Sequence, residues 1–172
     1  MLALPRMLME QGVALRTETE ADVEFLCGLY VSTRWEELAP IADWTEAQKR
    51  AFLESQFAAQ RRHYLIHYAE AERLVIEDRG VACGRIYVDR TPAKVHVVDL
   101  SLLPEWRGRG IGTAILQQVL AEAGAAGKRA GIAVEKFNPA QRLYRRLGFR
   151  EVEDLGIYLA MEWSPPDGPA AT

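Results

Sequence analysis

Hydrophobic and polar residues alternate through the middle of the chain in short runs that turn-forming residues separate. Three such runs follow one another between residues 73 and 103, and Asp78-Arg79-Gly80 joins the first two as a hairpin-like turn. This pattern predicts a meander of three strands. The predicted elements, in chain order, are a strand at 13–19, helices at about 20–33 and 45–67, strands at 73–78, 81–89 and 93–103, a helix after Gly112, a strand at 129–135, a helix after Asn138 and a hairpin at 149–163 that turns at 154–156.

The stretch DLSLLPEWRGRGIGT, residues 99–113, leads from the third strand of this meander into a helix. The helix is predicted from apolar residues at every fourth position, which are Ile111, Ile115 and Val119. Three glycines lack Cβ atoms, so the backbone can bend tightly and direct N–H groups at one anion; they are Gly108, Gly110 and Gly112. Arg107 and Arg109 add positive charge. The turn therefore suits a pyrophosphate.

Two better-known glycine signatures do not fit this turn. A dinucleotide-binding fingerprint would place a third glycine at position 113, where the chain has Thr113. A P-loop would end in Gly-Lys-Ser or Gly-Lys-Thr, and the chain contains neither tripeptide. Both interpretations are therefore disfavoured.

A second informative segment is NPAQRLYRRLGF, residues 138–149. Asn138 can cap a helix, Pro139 suits its first position, and Gly148 suits its end. Tyr144 lies within this short predicted helix.

Together, the strand ending in LLPEW, the turn RGRGIG and the segment NPAQRLYRRLGF resemble the GNAT superfamily of N-acetyltransferases over residues 81–161. The resemblance implies an α/β fold with a mixed, mostly antiparallel central sheet, one splayed strand and flanking helices. It also implies acetyl-CoA as co-substrate and direct attack by a primary amine, on a small molecule or a protein. The alternative is a non-catalytic CoA-binding regulatory or interaction module on the same fold.

The resemblance assigns cofactor-binding positions in this chain. They are the backbone groups of Leu102 and Leu103, the turn residues Arg107, Gly108, Arg109, Gly110, Ile111, Gly112 and Thr113, and Asn138. Tyr144 matches the tyrosine that protonates the leaving CoA thiolate in many members of the family. A phenol with a pKa of about 10 can donate that proton at neutral pH.

A base is also needed, because an alkyl ammonium must lose a proton before it can attack a thioester. His96 lies where many family members carry a base-like glutamate, and its ordinary pKa suits the task. Asp99 is the other ionisable candidate, and it can orient substrate or pair with an arginine such as Arg85. Strand alternation places His96 and Asp99 on opposite faces unless a bulge intervenes. Ordered water is the third alternative.

The resemblance places the acceptor site at the loop between the first two long helices and at the last hairpin. In that loop Trp35, Glu36 and Glu37 are candidates for binding a cationic amine, since carboxylates and aromatic faces attract ammonium groups. The alternative is that these residues anchor the loop or are solvated.

Composition limits the remaining possibilities. The 172 residues predict one domain over 1–163, followed by a flexible Pro- and Gly-rich tail at 164–172. A formal charge of −3 argues against a nucleic-acid partner, and no apolar run is long enough for a membrane span. Cys27 and Cys83 form no C-x-x-C motif, so we expect no metal and a reducing, cytoplasmic setting. A second copy of the chain is a candidate partner, because homodimers are common in the family.

Overall fold

The computed structural model describes residues 1–166, which form one seven-stranded sheet with helices on both faces. The helices and strands, in chain order, are α1 (Arg6–Glu10), β1 (Val13–Thr17), α2 (Val23–Arg34), α3 (Glu46–His67), β2 (Glu72–Asp78), β3 (Val81–Arg90), β4 (Lys94–Leu102), α4 (Ile111–Ala125), β5 (Arg129–Glu135), α5 (Gln141–Arg146), β6 (Arg150–Asp154) and β7 (Tyr158–Trp163). The strand order is β1-β2-β3-β4-β5-β7-β6. All neighbours pair antiparallel except β4 and β5. The predicted meander of β2, β3 and β4 and the predicted fold class are confirmed.

The parallel pair separates after a short contact. Lys94–Val97 of β4 pair with Arg129–Ile132 of β5, and beyond them each strand pairs only with its other neighbour. β4 stays on β3 as far as Leu102, while β5 stays on β7 as far as Glu135. A gap therefore opens in the middle of the sheet, pointing toward the turn before α4.

The two faces of the sheet are covered differently. The main core joins α4, α5 and the N-terminal segment to one face, where Leu8, Ile115 and Leu116 are fully buried. A second, smaller core lies between α2 and α3 on the other face. That second face is open over β5, β7 and β6, because Ala133 in the centre of β5 is exposed and so are all five residues of β6.

A register shift in β4 decides which side chains share a face. Asp99 lies opposite Tyr87, while His96 lies opposite Asp89, and the shift between Tyr87 and Val88 leaves Val98 unpaired. Cross-strand partners share a face, and Tyr87 and Asp89 are two residues apart. His96 and Asp99 therefore lie on the same face, which is the face that α3 covers.

Some elements differ from those predicted from sequence. α1 and short 3₁₀ helices at Trp35–Leu38 and Pro104–Trp106 were not predicted. α5 begins at Gln141, because the Asn138 side chain accepts the N–H of Ala140 at 2.9 Å and forms a turn before the helix. Of the predicted tail, residues 167–172 lie outside the described residues. Among residues 1–166, no helix combines the length and apolarity that a membrane crossing requires.

Candidate active site

The turn between β4 and α4 presents a run of unused backbone donors. Gly108 and Gly110 have φ values of +71° and +80°, which residues with a Cβ rarely adopt. Within residues 1–166, the N–H groups of 108–113 donate to no backbone or side-chain acceptor, and the first such bond of α4 comes from Ala114. Six consecutive amides with the partial positive charge of a helix start can therefore hold an anion.

The arginines of this turn are already held by other groups. The Arg107 N–H donates to Pro104 O at 3.2 Å, and its side-chain Nε donates to Leu102 O at 2.8 Å. The exposed Arg109 guanidinium lies 5.8 Å from the Trp106 ring centroid. Of the predicted turn, the amides from Gly108 onward are open, while that of Arg107 is bonded.

The backbone of β4 alternates between β3 and the gap. Leu103 donates its N–H to Cys83 O at 2.8 Å, so this group points at β3. By the alternation of an antiparallel ladder, the backbone groups of Leu100 and Leu102 point into the gap. Leu102 thus fits the predicted role, the Leu103 N–H is occupied, and Leu100 is a residue that sequence reasoning missed.

Tyr144 of α5 lies in the main core, on the face of the sheet that α4 covers. Its ring is buried, with 7% of the residue exposed, and makes an edge contact with Phe149 at 6.0 Å between centroids. Its hydroxyl has no hydrogen-bond partner among the described residues. Burial, and then the charge of Asp99, raise the pKa of Tyr144 to about 12. The phenol is therefore a protonated donor at neutral pH.

Gln141 holds the helix that carries Tyr144. Its buried side-chain amide donates to the carbonyl oxygens of Glu135 and Lys136 at 2.9 and 2.5 Å. These bonds attach α5 to the end of β5. The exposed Asn138 lies in the connecting turn, and its predicted cofactor contact stays a prediction.

Asp99 lies in a buried polar network on the opposite face. Its Oδ2 accepts hydrogen bonds from Arg85 Nη2 at 2.7 Å and from the Tyr64 hydroxyl at 2.8 Å. Its Oδ1 accepts from the Ser101 hydroxyl at 2.7 Å. Arg85 also donates to Gln60 Oε1 at 2.7 Å. The pairing of Asp99 with Arg85, one of the two alternatives from sequence, is therefore present.

Arg85 is the centre of this network. It is 3% exposed, and its guanidinium lies 5.1 and 5.9 Å from the ring centroids of Tyr87 and Tyr64. Burial, the largest influence, lowers the pKa of this guanidinium, but the charge of Asp99, the Tyr87 and Tyr64 hydroxyls and the hydrogen bond with Asp99 together more than offset burial, so the pKa is raised. Arg85 therefore stays charged and ties β3, β4 and α3 together.

His96 lies on the same face as Asp99, within the stretch of β4 that pairs with β5. Its ring stacks on Tyr68 at the end of α3, with centroids 5.8 Å apart and planes 17° apart. Burial, and then the Lys94 ammonium, lower the pKa of His96 below its ordinary value of 6.5. The imidazole is therefore neutral at pH 7 and can accept a proton.

The open half of this face has a floor of two small residues beside the gap, Ala133 of β5 and Ala160 of β7, which follows the buried Gly131. Gly131 lies against His96, and a Cβ added there would be 3.2 Å from His96 Nδ1. Ala133, two residues on, lies on the same face and opposite Ala160 of β7. This floor leaves room for an acceptor to approach the gap from solvent.

One of the three predicted acceptor residues, Glu37, is linked to the outer end of this floor. Arg34, at the end of α2, forms an ion pair with Glu135 at the end of β5 and donates to Glu37 at 3.1 Å. Glu37 is thus brought to the end of β5. Trp35 is partly buried against the α2–α3 core, and Glu36 is exposed.

Two other features of the described chain lie apart from this site. An apolar pocket of 620 Å³ lies between the outer faces of α2 and α3, where Cys27, Phe57 and Ile66 help to line it, and none of the predicted site residues does. Within residues 1–166, no group of three or more His, Cys, Asp or Glu is arranged to hold a metal ion.

Sequence reasoning missed Tyr64, Gln141 and the Ala133–Ala160 floor. The sequence does contain a signal for Gln141: it is a polar side chain directly after the Asn-Pro turn, where it can bond the preceding backbone carbonyl groups. No local pattern could have paired Tyr64 with Asp99, because the two are 35 residues apart and the bulge at Val98 sets the face.

Comparisons with known proteins agree with this geometry. The model of the acetyltransferase (GNAT) family matches residues 19–149. A curated N-alpha-acetyltransferase of Sulfurisphaera tokodaii is 39% identical over 74 residues, which are 39% of this chain and 42% of that protein. The match thus spans less than half of that relative's length.

Solved structures share the fold. That of PaiA N-acetyltransferase from Thermoplasma acidophilum, in complex with coenzyme A, gives a TM-score of 0.65 at 18% identity and covers 88% of this chain and 98% of that one. That of YncA from Salmonella typhimurium, with acetyl-CoA, gives a TM-score of 0.55 at 21% identity and covers 94% and 98%. At these identities the likeness concerns the fold alone.

Proposed function

The chain belongs to the acetyltransferase (GNAT) family, and we propose that it transfers an acetyl group from acetyl-CoA to a primary amine. The single observation that carries this proposal is the run of six open amides at residues 108–113, at the mouth of the gap between β4 and β5. Backbone donors converging at a helix start fit the pyrophosphate of CoA. The gap fits an extended arm that pairs with the backbone groups of Leu100 and with the N–H of Leu102, whose carbonyl oxygen already accepts from Arg107 Nε.

Tyr144 and the acceptor floor lie on opposite faces of the sheet at this gap, which supports direct attack. Acetyl-CoA supplies a thioester whose cleavage releases a thiolate. Tyr144, on the α4 face, is protonated and donates to that leaving group. The amine approaches from the other face, over Ala133 and Ala160. No covalent intermediate on the protein is required.

The proton of the attacking ammonium leaves on the α3 face. His96 is neutral there and can take the proton directly or through ordered water. Both Asp99 carboxylate oxygens already accept hydrogen bonds, from Arg85, Tyr64 and Ser101. Asp99 is therefore better suited to orienting neighbours than to taking the proton, and His96 or water is the favoured base.

The outer end of the floor favours a cationic acceptor. Glu37 and Glu135 both form ion pairs with Arg34, and Tyr158 lies opposite Glu135 at the start of β7. Two carboxylates against one guanidinium leave a net negative charge that attracts an ammonium group. The acceptor is a small-molecule amine or a protein amino group, and the Sulfurisphaera relative supports including protein α-amino groups.

The experiment is an acetyl-transfer assay with a panel of amines. Purified protein is given acetyl-CoA with a polyamine, an aminoglycoside, free lysine or peptides with a free N-terminus, and CoA thiol release and acetylated product are measured. Acetylation that requires both the protein and the amine is the expected result. Binding of acetyl-CoA without transfer to any member of the panel would instead support a non-catalytic CoA-binding module.

A further inference from the structure

The turn before α4 rests on the β2–β3 hairpin through one carboxylate. Asp78 is the last residue of β2, and its Oδ2 accepts a hydrogen bond from the indole Nε1 of Trp106 at 2.9 Å. The same oxygen lies 4.0 Å from Nη1 of Arg109. The guanidinium of Arg109 in turn lies over the Trp106 ring. One acidic side chain thus holds residues on both sides of Gly108.

These contacts matter because the open amides of residues 108–113 lie in a turn whose two ends, Trp106 and Ile111, are held by packing against the core. Trp106 is partly buried against the main core on one side, and Ile111 is buried at the start of α4 on the other. Between them, Gly108 and Gly110 leave the backbone more conformational freedom than other residues would. The direction of the amides therefore depends on how firmly Trp106 is held.

We infer that Asp78 is a positioning residue for CoA binding, acting through its hydrogen bond with Trp106. The inference rests on the proposed function, since it takes the turn as the pyrophosphate site. Asp78 has two opposed effects on an anionic ligand, because its anchoring strengthens binding while its negative charge weakens it. Two substitutions separate these effects. Asp78→Asn keeps an oxygen that accepts the Trp106 hydrogen bond but removes the negative charge, whereas Asp78→Ala removes the acceptor and the charge.

The test is acetyl-CoA affinity by calorimetry for the unmodified protein and four variants. Asp78→Ala and Trp106→Phe should each weaken binding about tenfold, which corresponds to 1.4 kcal/mol. The double variant should be no weaker than either single one, because both remove the same hydrogen bond. Asp78→Asn should bind within about threefold of the unmodified protein. The KM of the amine acceptor should not change in any of them.

Controls keep this inference separate from the proposed function. Asp43→Ala removes a carboxylate from an exposed loop before α3 and should leave affinity unchanged. No binding by the unmodified protein would refute the proposed function itself. Normal binding by the unmodified protein and equally tight binding by Asp78→Ala would overturn only the inference, as would additive losses in the double variant. If Asp78→Ala does not fold, the acetyl-CoA affinities of Trp106→Phe and Asp78→Asn are compared instead. The inference expects Trp106→Phe to bind more weakly than Asp78→Asn, and equally tight binding by the two variants would overturn it.

Discussion

The turn before α4 and the acceptor region between α2, β5 and β7 lie on the β4 side and the β5 side of one gap, and they offer a ligand different kinds of groups. The turn offers backbone amides from six consecutive residues, 108–113. The acceptor region offers side chains from distant parts of the chain, among them Arg34, Glu135 and Tyr158. A short stretch of sequence defines the first region, whereas the tertiary fold assembles the second.

This difference explains why the cofactor is easier to identify than the acceptor. An amide N–H is present in every residue except proline, so a phosphate site depends on backbone path, which glycines mark in the sequence. An amine site depends on which side chains meet, and one substitution changes its preference. Changes on one side of the gap should therefore affect one substrate only.

The largest effect is expected on stability, from the buried Arg85–Asp99 pair that joins β3 to β4. Arg85→Met removes a buried cation and leaves Asp99 buried without its charge partner, so we expect the free energy of unfolding to fall by about 3–5 kcal/mol. Urea unfolding measures this change. The double variant Arg85→Met/Asp99→Asn should recover part of the loss, because it also removes the unpaired charge. A loss below about 1 kcal/mol would mean that the pair behaves as a surface ion pair.

Tyr144→Phe should separate chemistry from binding. Loss of the hydroxyl removes the proton donor, and we expect kcat to fall about 100-fold while the Kd of acetyl-CoA stays unchanged. Steady-state kinetics and calorimetry measure the two quantities. The unfolding temperature serves as the control, since the hydroxyl has no partner to lose among the described residues. An unchanged kcat would exclude Tyr144 as the general acid.

Ala160→Leu should affect the acceptor side alone. A larger side chain on the floor narrows the approach to the gap, and we expect the KM of the amine to rise about tenfold with the Kd of acetyl-CoA unchanged. Ala121→Leu, at an exposed position of α4, is the matched control. A rise in the acetyl-CoA Kd without any change in amine KM would show that the floor belongs to the cofactor side.

His96 gives the smallest effect, visible in the pH dependence of stability. Because the folded pKa lies below 6.5, the folded protein binds this proton less readily than the unfolded chain does. The stability that the neutral His96 imidazole contributes is fully present above the pKa of the unfolded chain. As pH falls from there toward the folded pKa, the free energy of unfolding decreases by at most about 1.4 kcal/mol per pH unit. Urea unfolding of the unmodified protein and of His96→Gln should therefore diverge below pH 6.5. Parallel curves would mean that His96 titrates normally.

Sequence and structure agree best where contacts are local. The turn at 108–113, the meander and β5 follow from glycine positions and alternation, which act over a few residues. The predicted start of α5 at Pro139 is two residues early, because an Asn-Pro pair forms a turn as readily as a helix cap. The bulge at Val98 and the Arg85 network depend on pairing between strands and with α3, and no local pattern encodes them.

The central claim is that the amides of residues 108–113 bind CoA, and a thermal-shift comparison of two glycine variants tests it most directly. Gly110 and Gly127 lie just beyond opposite ends of α4, have φ values of +80° and +64°, and would each have nothing within 4 Å of an added Cβ. Asp at either position therefore carries the same kind of backbone strain, but only Gly110→Asp puts a carboxylate at the turn. Acetyl-CoA at 100 times its Kd should stabilise the unmodified protein by about 2.7 kcal/mol, or about 5–10 °C.

Gly127→Asp should keep this shift, and Gly110→Asp should lose most of it. An equal shift in both variants would contradict the assignment of the turn.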